Sequence, residues 1–333
     1  MRHNHTKDKV YELLKQNEGV FLSGEEMAER LFVSRAAIWK AIKTLRDQGV
    51  QIEAVTNRGY RIDVGIDPLN RESIEKALRL YDIDLPVHVY GSVDSTNEEA
   101  ARLAGCGEEF VVVAGSQSKG RGRKGRAFFS PADSGLYMSL VLRKGFQLEK
   151  ISELTGITAS AVSDAIDSFF FEGRDVSGIK WVNDIYIEGK KVCGILSEAH
   201  LTVEDPDAGY VVVGIGINVR TPKEGFPKEL TGIAGACISR NLEMEGGVRN
   251  SLTARVIERM YYYLKHPDES LALYRRKSIL IGGYVRIDNA GQIRPDRRYA
   301  RVLSISDAYR LEVEYDDGVR ESLSSGEVST AKY

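Results

Sequence analysis

A glycine- and arginine-rich stretch directly behind a buried-strand pattern sets the tightest limit on how this 333-residue chain folds. The run Phe110-Val111-Val112-Val113-Ala114 is short, apolar and rich in β-branched residues, the signature of a buried strand. Ser116-Gln117-Ser118-Lys119-Gly120-Arg121-Gly122-Arg123-Lys124-Gly125-Arg126 follows, with five basic residues and three glycines from Lys119 onward. Glycine allows positive φ and lets a ligand approach the main chain. Successive N–H groups in such a turn form a concave anion site, and guanidinium forks add bidentate oxygen contacts. The loop therefore suits a phosphate and a carboxylate held together; a solvated basic loop or a nucleic-acid patch fits the same residues. It is not a Walker loop, because no Gly-Lys-Ser/Thr follows.

The chain is too long for one ordinary core, so two or three domains are expected. Net charge is −2, so any nucleic-acid contact must come from a local patch. Cys106, Cys193 and Cys237 lie far apart without metal-ligand spacing, so no metal site is expected and a reduced, cytoplasmic setting is. No apolar run reaches membrane-spanning length.

In the first 65 residues, Val10, Leu13 and Leu14 give one helix a buried stripe. Ser23 and Glu26 have capping-box spacing for a second helix. After the short turn Phe32-Val33-Ser34, Ser34 is placed to cap a third helix over 35–48, with Ile38, Ile42 and Leu45 inward and Gly49 as its stop. Two alternating segments around Thr56-Asn57-Arg58-Gly59 read as a hairpin wing. The whole is a winged helix-turn-helix. Its third helix would enter the DNA major groove by its N-terminal end, Ser34 and Arg35 meeting phosphate or base edges. Trp39 and Lys40 would border the backbone, Lys43 and Arg46 lie further along, and Arg58 would reach phosphate from the wing. A three-helix bundle for protein contacts fits the same pattern.

Further on, a helix is expected over 71–80, a strand over 87–90, and an alanine-rich helix over 98–104. Ser95, Thr96 and Asn97 precede the last; at least one should cap it, and three exceed what a cap needs, so the surplus suits a small polar ligand. A strand at 135–142 and a long helix over 148–171 follow. Gly194 inside a strand implies close approach of a ligand or another backbone. Cys193 beside it reads as a small buried hydrophobe. Lys191 opens that strand, where an exposed charge and a functional lysine both fit. Gly214 and Gly216 alternate along another strand and leave a flat floor for a thin molecule. Past 277, short strands at 279–281, 283–287, 299–305, 310–315 and 319–322 argue a small barrel.

Taken in order, Asp94-Ser95-Thr96-Asn97, Gln117 with Gly120 to Arg126, Ser130-Pro131, Lys180-Trp181-Val182-Asn183-Asp184, Lys191-Val192-Cys193-Gly194-Ile195-Leu196 and Gly214-Ile215-Gly216-Ile217-Asn218 resemble the biotin–protein ligases. With the N-terminal module, they resemble the bifunctional ligase/repressor form. The resemblance implies an α+β multidomain chain: a winged helix-turn-helix (1–65), a mixed α/β catalytic domain of the biotin/lipoate ligase type (66–276) and a small β-barrel (277–333). It implies that the biotin carboxylate attacks the α-phosphate of ATP, giving biotinyl-AMP and pyrophosphate. A lysine of a biotin carboxyl carrier protein then attacks the mixed anhydride.

By the same resemblance Ser95, Thr96, Asn97 and Gln117 would hold biotin, with Gly194 and Gly214 beneath it. Arg121, Gly122 and Arg123 would close over the adenylate, and Lys191 would hold the biotin carboxylate; Lys191 and Arg123 are the catalytic candidates. Asn218 would meet adenine, Phe128 would face the nucleotide, and Lys180 and Asn183 would lie near the triphosphate and its magnesium. The loop is expected to order on ligand binding. A homodimer on operator DNA is implied when biotinyl-AMP is bound. Phe128 stands where the family commonly has tryptophan, and Val182 where it has proline, so weaker closure is expected. A biotin sensor without catalysis and a lipoate-attaching ligase are the competing readings.

Overall fold

Three helices, α1 (His3–Gln16), α2 (Gly24–Leu31) and α3 (Arg35–Asp47), precede a hairpin of β1 (Ile52–Val55) and β2 (Gly59–Ile62). Ser23 Oγ accepts from Glu26 N at 3.0 Å, and Ser34 Oγ accepts from Ala37 N at 3.2 Å, so both expected caps form. Leu22 bridges to Tyr60 and ties the wing back to the helices. Gly59 has φ +101 and no room for a Cβ against Leu22, which is why the wing turns on a glycine. Ile38, Ile42 and Leu45 face inward as their spacing requires, packing with Val10, Leu14, Met27, Ile52 and Ile62 in a core of their own. This is the winged helix-turn-helix expected.

The structure is a computed structural model describing residues 3–330 apart from 18, 48–49, 51, 57, 63–66, 144–149, 201–208, 239–246, 289–298 and 325. The expected helix stop at Gly49 and the boundary between 65 and 66 lie outside the described residues.

The central part begins with α4 (Arg71–Arg79), β3 (Val87–Tyr90), α5 (Thr96–Leu103), β4 (Phe110–Ala114), β5 (Gly135–Leu142) and α6 (Ile151–Phe170). It continues with β6 (Gly178–Lys180), β7 (Asp184–Ile187), β8 (Lys190–His200), β9 (Tyr210–Asn218), α7 (Val248–Lys265) and α8 (Pro267–Lys277). The strands form one sheet in the order β3-β4-β5-β9-β8-β7-β6, antiparallel except for β3 beside β4. Strand β4 shows why its sequence is unbroken in apolar character. Val111 and Val113 enter the main core, while Phe110 and Val112 pack with Ala100 of α5 and Ala104 just past its end on the opposite face. Helices α7 and α8 were not anticipated, although Leu252, Val256, Ile257 and Met260 have helical spacing and are fully buried.

The C-terminal strands β10 (Tyr284–Asp288), β11 (Tyr299–Ile305), β12 (Leu311–Tyr315), β13 (Arg320–Leu323) and β14 (Glu327–Thr330) form a small barrel-like antiparallel unit in the order β13-β12-β11-β10-β14. The strand expected at 279–281 is absent. Ile279 N instead donates to Ile179 O at 3.0 Å and covers the edge of β6, and the fifth strand is β14. Val285, Val302, Leu311 and Val328 share one apolar core with the central sheet. The Tyr309 ring fills the space a side chain at Gly156 would need, and Tyr309 O accepts from Trp181 Nε1 at 2.8 Å.

A buried clasp fixes where the central part begins. Asp67 accepts from Gly247 N at 2.7 Å and from Arg249 N, at the start of α7. The Arg249 guanidinium, 3% exposed, donates to Asp67 O and, at 3.1 Å, to Gly135 O. Asn250 holds Pro68 and Asn70 by two bonds of 2.8 Å. Burial nonetheless pushes the Asp67 carboxyl above its ordinary value, outweighing Arg249 and the backbone donors. Arg249→Ala would leave that carboxylate buried without its cation. Urea unfolding should show a loss of about 3–5 kcal/mol, the range for breaking a buried pair. An unchanged midpoint would show that the clasp does not hold 67–70 on α7.

Candidate active site

Three segments meet at the loop singled out above. The start of α5, with its N-cap residue, brings Ser95, Thr96 and Asn97, all buried, to the sheet edge of a cavity of about 530 Å³. None of them caps the helix: Ser95 is the N-cap residue but makes no side-chain cap bond. The missing acceptor comes from outside. Gln117 Oε1 accepts from Thr96 N at 2.8 Å and from Thr96 Oγ1 at 3.1 Å. Gln117 Nε2 donates to Ser130 Oγ at 2.8 Å, so its amide is fixed with oxygen toward the helix. Asn97 donates to Glu198 Oε2 at 2.7 Å and accepts from Ser139 Oγ at 2.7 Å.

The glycine floor exists, and the protein's own side chains occupy part of it. Gly194 of β8 pairs with Gly216 of β9, and Leu196 pairs with Gly214. A Cβ at Gly214 would run into the Asn97 amide. At Gly216 it would come within 2.5 Å of the Phe128 ring, and at Gly194 within 3.3 Å of Phe128 and Lys191. Close approach is thus required, as expected from Gly194, but here it is by Asn97, Phe128 and Lys191. Phe128 also meets Tyr137 edge-on, ring centres 6.4 Å apart.

The loop itself is pinned at its neck: Gly122 N donates to Arg126 O at 2.7 Å and Phe128 N to Gly120 O at 2.8 Å. Lys124 and Gly125 at its tip both have positive φ. Arg123 Nη1 donates to Asn183 Oδ1 at 3.1 Å, and Asn183 Nδ2 to Ile195 O at 2.8 Å. Across the cavity Lys191 Nζ bonds Asp184 Oδ1 at 2.6 Å. Lys180 stands 5.6 Å from the centre of the Tyr186 ring. Burial, with the Asp184 charge adding, pushes the Tyr186 hydroxyl up to about 12, so it stays a neutral donor. Asn218 Nδ2 is bonded to Gly235 O at 2.9 Å.

Arg121 and Arg123 therefore line one cavity with Lys191, which is distant from them in sequence, together with every other residue expected to hold biotin or nucleotide. Burial holds the Cys193 thiol well above its ordinary value, which fits a packing residue and not a nucleophile. Four residues were not assigned from sequence. Asp184 lay inside a quoted segment and Glu198 two positions beyond another, and neither carried a spacing signal. Arg286 and Ser329 come from the C-terminal unit and line the cavity only through tertiary packing. Among the described residues no group of three or more His, Cys, Asp or Glu side chains is placed to hold a metal. Among the described residues no helix is long and apolar enough to cross a membrane.

On the N-terminal module Arg35, Trp39, Lys40 and Lys43 are exposed along α3, behind the Ser34 cap. Lys43 Nζ lies 5.7 Å from the Trp39 ring centre, and the exposed Arg58 guanidinium lies 4.4 Å from that of Phe21 in the wing. Arg46 differs from expectation: its Nε donates to Ile52 O at 2.9 Å, so it braces β1.

Residues 6–61 match the model of an HTH domain, and 89–218 match that of the biotin/lipoate A/B protein ligase family. The chain is 32% identical over 330 residues to the bifunctional ligase/repressor BirA of Bacillus spizizenii, covering 98% of both chains. To the Escherichia coli bifunctional ligase/repressor BirA it is 36% identical over 228 residues, 66% of this chain and 65% of that one. The biotin protein ligase of Aquifex aeolicus, solved with biotin and ATP, superposes with a TM-score of 0.59 at 26% identity, covering 74% of this chain and 99% of that one. With a helix-turn-helix joined to a ligase domain, and full-length similarity to proteins that carry both, the chain belongs to the biotin–protein ligase family in its bifunctional ligase/repressor form.

Proposed function

We infer that this chain is an ATP-dependent biotin–protein ligase that also acts as a DNA-binding repressor. Biotin and ATP are its substrates; the products are the biotinylated lysine of a carrier, AMP and pyrophosphate. The observation that carries this reading is the convergence of Arg123, Lys180 and Lys191 on one cavity whose other wall is the Thr96–Gln117 hydrogen-bond pair.

The chemistry demands that arrangement. A carboxylate and a triphosphate repel each other, and negative charge grows on the oxygens around phosphorus as the anhydride forms. Fixed cations reduce both penalties without reorganising during the step. Lys191 takes the biotin carboxylate, then the anhydride oxygens. Arg123, with Arg121 and Gly122 through the loop main chain, closes over the adenylate and excludes water. Ser95, Thr96, Asn97 and Gln117 meet the ureido ring, with Gly194 and Gly214 beneath. Phe128 and Asn218 face the adenine, and Lys180 the phosphates. Magnesium brought in with ATP would supply further charge neutralisation there; Asn183 and Asp184 offer it oxygens only once Arg123 and Lys191 have turned to the substrates. In the second half-reaction the carrier lysine's amine attacks the anhydride carbonyl, the amide forms, and AMP leaves with the electron pair of the broken bond.

The tasks divide along the chain: 1–65 for DNA, 66–276 for adenylation, and 277–333 as a unit adding Arg286 to the nucleotide side. The adenylate-bound chain pairs as a homodimer and occupies a two-fold operator. The protein works in the cytoplasm, where ATP, carrier and operator are all available.

Biotin-dependent exchange of pyrophosphate into ATP tests the enzymatic reading, and its absence would leave only a sensor. In the same assay Lys191→Met should lower exchange by about ten- to a hundred-fold, the worth of one charge-assisted contact of about 1.5–3 kcal/mol. Arg123→Ala should keep the fold and release biotinyl-AMP faster by a similar factor; unchanged retention on gel filtration would remove Arg123 from closure. Operator binding should weaken steeply with salt, and Lys43→Ala should reduce the log–log slope by about one. Sedimentation should shift from monomer to dimer when biotin and ATP are added together; a fixed mass would exclude ligand-driven pairing.

A further inference from the structure

Arg121 and Arg123 stand two residues apart, yet their guanidinium groups go to different walls. Arg123 reaches Asn183, at the turn into β7. Arg121 bonds Glu98 of α5 and, at 2.8 Å, Glu198 Oε1 of β8. The second oxygen of Glu198 accepts from Asn97 Nδ2 at 2.7 Å. Asn97 is packed on Gly214 and bonded to Ser139, so it cannot follow a moving partner. One carboxylate on β8 thus joins the loop's neck to the start of α5, where Ser95, Thr96 and Asn97 lie.

Charge arithmetic separates the two arginines further. A site that must collect two anions is weakened by nearby carboxylates unless each is neutralised. Glu98 and Glu198 together carry one more negative charge than Arg121 supplies, so Arg121 has no charge to spare for a phosphate. The cationic work then falls to Arg123, Lys180 and Lys191. The neck of the loop is where Arg121 pairs in the main chain with Ala127, directly across from the tip that carries Arg123. A guanidinium held there fixes the point about which the loop swings.

We propose that Glu198, assisted by Glu98, is the positioning residue of the loop: it anchors the Arg121 side chain at the neck, so that the loop closes about a fixed hinge and Arg123 moves with the tip. The proposal rests on the adenylation reading above. It also explains why Arg121 and Arg123 stand so close together without competing for one ligand. The pair is breakable: Arg121 is 44% exposed and Glu198 26% exposed in their side chains, so salt should weaken the anchor.

The test is the dissociation rate of biotinyl-AMP from the full chain, loaded with biotin and ATP and then chased, across a salt series. Glu198→Gln is the informative variant. Its amide oxygen still accepts from Asn97, but its NH2 then faces Arg121, donor against donor. Release should speed up by about three- to ten-fold, the span for a partly exposed charge-assisted pair, and should lose much of its salt dependence. In an Arg121→Met background the same substitution should add nothing, because the anchor is already gone. Glu98→Gln should shift release in the same direction and serves if Glu198→Gln does not fold. An unmodified release rate in both glutamine variants overturns the proposal. So do effects of Arg121→Met and Glu198→Gln that multiply, which would mark Glu198 as merely structural. Failure of the adenylation reading is seen separately, as absence of biotin-dependent pyrophosphate exchange in the unmodified chain.

Discussion

On the proposed adenylation reading, mutual repulsion between a carboxylate and a triphosphate is the problem this cavity must meet, and its cations are already partnered. Lys191 rests on Asp184 and Arg123 on the Asn183 amide. A bare cation in a half-buried pocket is costly, and a permanently neutralised one is useless. A soft partner solves both difficulties: an amide oxygen holds Arg123 in place and gives way to a phosphate, which is the stronger acceptor for a guanidinium. Asp184 holds Lys191 at 2.6 Å with less than a third of either side chain exposed, so the ammonium is oriented in advance. Pre-set orientation is what makes such a charge effective in the transition state, since no reorganisation is left to be done.

The glycines serve this arrangement by absence. Gly194, Gly214 and Gly216 sit side by side on β8 and β9. At Gly214 and Gly216 a Cβ would collide with Asn97 and Phe128, and at Gly194 it would crowd Lys191 and Phe128. The sheet surface is thereby lowered by one atom layer where polar and aromatic groups must lie flat. The consequence reaches the loop side of the cavity, because Phe128 rests on Gly216 and against Tyr137. A smaller ring than tryptophan at this position fits against the floor and still presents an aromatic edge to the cavity.

Much of this was legible in the sequence, for identifiable physical reasons. Strands β3 and β5 coincide with their expected spans because their apolar runs are bounded by proline, glycine and charge. The capped helices α2 and α3 were fixed by Ser23 and Ser34, whose hydroxyls make the predicted local bonds. The site residues could be gathered because they fall in short segments with distinctive composition. Cap chemistry failed at α5, where three candidate residues sat together and a glutamine from the next loop supplied the acceptor instead. Glu198 and Arg286 were invisible for a similar reason: nothing near them in sequence marks what they touch across the sheet. The strand at 279–281 was misread because an edge-covering segment and a strand share the same apolar content.

The C-terminal unit illustrates how much function depends on packing that sequence pattern leaves open. Its strands have clean alternation and turn signals, which is enough to specify a small barrel-like sheet but not where it docks. Docking is decided by Gly156, where the missing side chain admits the Tyr309 ring, and by Trp181, whose indole N–H is satisfied by the Tyr309 carbonyl. Trp181 immediately follows Lys180 and precedes Asn183 by two positions, so the same short segment that lines the cavity also seats the barrel. The two units share one apolar core, and separating them would expose that surface and free the Lys180–Asp184 segment at once. The Lys180–Asp184 side of the cavity and the attachment of the last fifty residues or so are therefore one structural problem, solved by one tryptophan and one glycine.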